Sequence, residues 1–115
     1  MINMEKKSVK DIDNVAFKNA LVEALHTPLS GYGCRGGCGR VYVEIVSPKI
    51  TKSSKLGKII QSLGLLMTSR PYYGGSSRIY VGYDNASGKE YKLGEIIEEK
   101  LKAVGVQCYV DGDGD

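Results

Sequence analysis

Two stretches of this chain carry nearly the same message 38 residues apart: Arg40-Val41-Tyr42-Val43 is answered by Arg78-Ile79-Tyr80-Val81. The preceding loops agree, with Gly36-Gly37 falling on Gly74-Gly75, Cys34 on Tyr72 and Cys38 on Ser76. The following segments, Lys55-Leu56-Gly57-Lys58-Ile59-Ile60 and Lys92-Leu93-Gly94-Glu95-Ile96-Ile97, match at an offset of 37, so one residue has slipped in a loop. Cys108-Tyr109-Val110 adds a weaker third copy of the apolar, Tyr, apolar order. A period of this length marks chains built from one recurring supersecondary unit. Two and a half copies within 115 residues predict a pseudo-symmetric single domain rather than a solenoid, with units at 14–52 and 53–90, a partial third at 91–111 and an acidic tail at 111–115.

Within each unit the apolar period changes. Val15, Ala16, Ala20, Leu21, Ala24 and Leu25 recur at helical spacing behind Asp13 or Asn14 as cap. Ser53 or Ser54 caps a second helix with Leu56, Ile59, Ile60 and Leu63 inward. A third starts near Tyr91, turns Leu93, Ile96, Ile97, Leu101 and Val104 inward and Glu98, Glu99 and Lys102 outward, and stops at Gly105. Between helices the period is two: Val41, Val43 and Ile45 share a face, as do Ile79, Val81 and Tyr83, and Val106, Cys108 and Val110. Each Gly-Gly pair precedes a strand and is read as a hairpin turn, with Pro71 suited only to an edge position; the alternative is a long loop in a parallel β-α-β arrangement. The expected fold is α+β and two-layered, with helices on one face of a small mixed or antiparallel sheet and an internal helix-hairpin repeat.

Charge is distributed unevenly behind a net value of +3. Residues 1–30 balance four cations against four anions. Residues 31–80 hold Arg35, Arg40, Lys49, Lys52, Lys55, Lys58, Arg70 and Arg78 against Glu44 alone, whereas residues 81–115 hold four lysines against eight acids. A basic middle points to an anionic partner. No run nears the ~18 apolar residues of a membrane span, and Met1 to Lys10 is polar and mixed in charge. The expected address is the cytosol, with no membrane partner, and three cysteines, an odd number, are expected to be free thiols.

If the helices cover the valine and isoleucine face, period two sends Arg40, Tyr42 and Glu44, Arg78 and Tyr80, and Gln107 and Tyr109 to the other. Rings on such a face stack on unpaired bases while guanidinium groups meet phosphates. Arg35, Arg70, Tyr72 and Tyr73 at the hairpin ends and Lys49, Lys52 and Lys55 beyond the first strand extend the surface. The plainer reading is that Tyr suits a half-exposed strand and that cross-strand rings stabilise sheets.

Other chemistry is thinner. Cys34, Cys38, Cys108 and His26 include zinc-ligand types, but the spacing is not that of a zinc ribbon or knuckle, and no metal or other cofactor is expected. The glycines from Gly31 to Gly39 precede a strand, whereas phosphate-cradling loops open a helix. Asp111-Gly112-Asp113-Gly114-Asp115 resembles half a calcium loop without its later bidentate Glu, and is read as a solvated acidic tail. His26 ends a helix with no triad partner beside it, so an enzyme is not expected.

Tyr72-Tyr73-Gly74-Gly75-Ser76-Ser77, followed by an alternating strand and preceded by a helix, resembles small accessory domains of phages and conjugative elements. That resemblance transfers no functional residue. It implies a habitat in which small binding proteins, including anti-CRISPR-type inhibitors of host defence nucleases, are common. Two functions follow as expectations: a nucleic-acid-binding accessory protein using the Tyr and Arg face, or an inhibitor or adaptor that binds another protein, such as a nucleic-acid-handling enzyme.

Overall fold

Asp13 opens the first helix by accepting the Val15 N–H on its Oδ1 at 3.0 Å, which supplies one of the partners a helix start lacks. The computed structural model describes residues 11–28, 38–70, 76–85 and 88–114. Helix α1 spans Asn14–His26, β1 Cys38–Ser47, α2 Lys55–Ser62, β2 Leu66–Arg70, β3 Ser76–Asn85, α3 Lys89–Ala103 and β4 Gln107–Gly114. Ser54 caps α2 by accepting the Gly57 N–H on Oγ at 3.0 Å. Helix α3 ends as expected at Gly105, whose φ of 99° lets the Val106 N–H turn back to the Leu101 carbonyl at 3.0 Å.

The strands form one antiparallel sheet in the order β2-β3-β1-β4. Strands β1 and β2 therefore run parallel with β3 between them, and β3 and β4 run parallel with β1 between them. Two split β-α-β units interleave, which is the ferredoxin-like strand order, with α1 added in front. This topology does not show the helix-hairpin repeat expected from the 38-residue similarity. The matched Tyr42 and Tyr80 are direct partners across the central pair, β1 and β3. Strands β2 and β3 pair antiparallel, as the second expected hairpin requires, while the turns themselves, at Gly74-Gly75 and Gly36-Gly37, lie outside the described residues.

The helices cover one face of the sheet. Phe17, Leu21, Leu56, Ile60, Ile97 and Leu101 close over Val43, Ile45, Met67, Ile79, Val106 and Cys108, each large side chain contributing about 1.5–3 kcal/mol by leaving water. On α1 the inward face differs from the expected one: Phe17 is fully buried and Val15 is 67% exposed. Apolar residues nearly encircle this helix, so spacing alone did not locate its buried stripe. Gly94 brings α3 close to the sheet, since a Cβ there would lie 2.6 Å from Val110 Cγ2 and 3.3 Å from Val41 Cγ1.

Residues 111–114 were expected in a solvated tail and are instead the end of β4, laddered against Gly39 to Tyr42 of β1. Their Gly and Asp composition resembles a disordered tail, yet β1 still offers unpaired amides along that length.

Glu98, expected on the solvated face of α3, fastens that helix to β4. Its Oε1 accepts the Val110 N–H at 2.9 Å and its Oε2 accepts from Lys102 Nζ at 2.6 Å. Burial pushes the Glu98 pKa up, but the hydrogen bonds from Lys102 and Val110 outweigh it and hold the carboxyl below its ordinary value. A depressed folded-state pKa stabilises the fold above the unfolded value, and that contribution is lost as pH falls through the folded value. Glu98→Gln is therefore expected to lower stability by about 1 kcal/mol at neutral pH, the gap from wild type narrowing under acid. Urea unfolding at several pH values checks this, and a gap independent of pH would refute it.

Candidate functional site

The sheet face away from the helices is built by the other strand phase. Tyr42 and Glu44 on β1 stand opposite Tyr80 and Arg78 on β3 and opposite Asp111 and Tyr109 on β4. Leu66 and Thr68 of β2 continue the rows from Tyr80 and Arg78.

At the centre this face is packed rather than wet. Tyr42, expected to turn its ring to water, is 5% exposed. The guanidinium carbon of Arg78 lies 3.8 Å from the Tyr42 ring centroid, and the Tyr80 ring centroid lies 5.8 Å away at 59°. Arg78, also expected in water, donates from Nε to Glu44 Oε1 at 2.8 Å, with side chains only 11% and 9% exposed. Antiparallel register places the single acid of the basic middle segment against this arginine, and the ion pair and ring contact shield one another from solvent. Burial works against the Arg78 charge, but hydrogen bonding to Glu44, and then to Tyr80 and Tyr42, holds its pKa above the ordinary value. The cation is already committed, so Arg78 is a support for the rings rather than a phosphate contact.

A second correction concerns β3. Partners run Val41 to Gly82 and then Tyr42 to Tyr80, so Val81 is an extra residue in a bulge. Past it the alternation reverses: Gly82, where a Cβ would lie 2.9 Å from Glu90 Cγ of α3, takes the helix-facing position expected for Tyr83.

Beside the packed centre lies a pocket of about 320 Å³ lined by Arg40, Leu66, Thr68, Tyr80 and Gly82. Arg40 is exposed, and Leu66 is 64% exposed. Across the centre Tyr109 is 46% exposed, but it shares its side with Asp111 on the acidic strand β4. The face therefore has an apolar hollow over β2 and β3, with Arg40 of β1 at its rim, and carries Asp111 on the β4 side.

Of the residues expected to bind, the structure brings Arg40, Tyr42, Arg78, Tyr80 and Tyr109 onto one face. Lys49, Lys52 and Lys55 are exposed but lie past the far end of β1, with roughly 24 Å of strand between Arg40 and Ser47. Arg70 closes β2 opposite Ser76, also toward that far end. Arg35, Tyr72 and Tyr73, with the motif that carries the phage-domain resemblance up to Gly75, lie outside the described residues.

No family model, curated protein or solved structure matches this chain. The site must be read from its own chemistry. Cys108 is buried, and that burial, with nearby Glu98, pushes its thiol up to about 12, so the reactive thiolate is scarce at neutral pH. His26 donates from Nδ1 to the Val22 carbonyl at 2.8 Å at the end of α1. Among the described residues no three His, Cys, Asp or Glu gather into a possible metal site, and no helix is long and apolar enough to cross a membrane.

Sequence reading missed Leu66, Thr68 and Gly82. Leu63, Leu65 and Leu66 look like a helix stripe running on, yet Gly64, at a φ of 86°, stops the helix. From there Leu66, Met67 and Thr68 alternate as a strand.

Proposed function

We propose that this chain is a non-enzymatic nucleic-acid-binding protein whose contact surface is the sheet face away from the helices. One observation carries the reading: an antiparallel four-stranded sheet, backed by helices, presents Tyr80 beside exposed Arg40 on a floor held rigid by Arg78, Glu44 and Tyr42. Aromatic rings on such a sheet stack on bases, and a neighbouring cation meets the backbone phosphates. The floor fixes Tyr80 before any partner arrives, so little ordering entropy remains to be lost on binding.

Arg40→Ala is expected to weaken binding of a fluorescent oligonucleotide and to lower the slope of log affinity against log salt by roughly one contact's worth, ~0.7 for a single strand. Anisotropy titrations from low to moderate salt measure both. Failure to retain any DNA or RNA at low salt would remove this reading, leaving a protein partner as the occupant of the face.

A further inference from the structure

Resting on that reading, we infer that the pocket between β2 and β3 accepts one unstacked base of a single strand, and that duplex is not its ligand. Shape is the first argument. At about 320 Å³ the hollow is near the lower bound of small-ligand pockets, ~300 Å³, which suits one base and not the edge of a stacked helix. The walls are the second. Tyr80 and the outward Leu66 are side-by-side partners on β3 and β2, and both offer apolar surface that gains only from the face of a ring. Paired bases keep their faces against each other and show proteins their edges.

The floor is the third argument. The bulge at Val81 re-aims the strand next to the pocket and sends Gly82 toward α3, so only bare backbone of this residue lines the hollow. Bulges of this kind gather where a strand must present a site. Thr68 supplies a hydroxyl on the remaining wall and Arg40 a cation at the rim. Charge favours this side of the face: Asp111 on β4 repels phosphates, while exposed Arg40, set on β1 between Tyr83 of β3 and Asp113 of β4, offers a cation at the rim of the pocket. The base is thereby placed over the pocket.

The test compares a short fluorescein-labelled oligothymidylate with a blunt duplex of equal length, at one low salt concentration, against wild type, Leu66→Ser and Arg40→Ala. Leu66 is largely exposed, so its replacement leaves the fold intact. The expected result is at least tenfold tighter binding of the single strand and a loss of about fivefold or more for Leu66→Ser on the single strand alone. Duplex bound as tightly as single strand, or an unchanged affinity in Leu66→Ser while Arg40→Ala still weakens binding, would overturn the pocket and leave the nucleic-acid reading standing. Binding of neither probe by wild type would overturn both.

Discussion

Gly57→Ala is expected to destabilise the protein by about 3 kcal/mol, although Gly to Ala inside a helix ordinarily gains close to 1 kcal/mol. A Cβ at this position would lie 1.9 Å from the Thr51 carbonyl oxygen and 2.9 Å from its carbon. These are backbone atoms, and the same oxygen accepts from the Ser54 N–H at 3.1 Å and from Ser54 Oγ at 2.7 Å. The turn that starts α2 has nowhere to go without giving up these bonds and its cap. Gly94→Ala, whose added carbon would meet valine side chains instead, is expected to cost less because side chains give way more readily than a bonded turn. Thermal or urea unfolding of the two variants decides the matter, and a Gly57→Ala protein as stable as wild type would contradict the close approach.

Arg78→Ala is expected to cost about 3–5 kcal/mol by leaving Glu44 charged and nearly buried without its cation. It would also strip the cover from the Tyr42 ring. Replacing both partners by methionine should recover most of the loss, because two apolar groups need no pairing. Urea unfolding of Arg78→Ala, Glu44→Met and the Arg78→Met/Glu44→Met pair measures the coupling. A single variant within ~0.5 kcal/mol of wild type would show that the pair contributes little. Because Arg78 supports the rings, weaker nucleic-acid binding in Arg78→Ala would report a loosened floor, whereas Arg40→Ala tests phosphate contact at an exposed position.

Periodicity made the two-layer plan legible, because apolar alternation on β1 and helical spacing on α2 and α3 answer to a single core. The order of the strands was not legible, and the pairing of Tyr42 with Tyr80 came only with the register. What stayed hidden depends on contacts between distant segments. Nothing local to Val81 announces a bulge, and nothing local to Glu44 says that it faces Arg78 until the register is known. Gly57 and Gly94 were visible as a shared motif, and a glycine kept inside two helices at a propensity cost is itself a sign of close packing. For the candidate site, Arg40 and Tyr80 were legible from strand phase, whereas Leu66 and Thr68 depend on where α2 stops.

Strand β4 has β1 on one side only among the described residues. The amides and carbonyls along its outer margin form a template on which another extended chain could grow. Asp111 stands exposed on this strand, and a second copy paired so that the two Asp111 carboxylates stood opposite one another would meet like-charge repulsion. A charged side chain on an edge strand is one of the devices that keep such a margin from pairing with another chain.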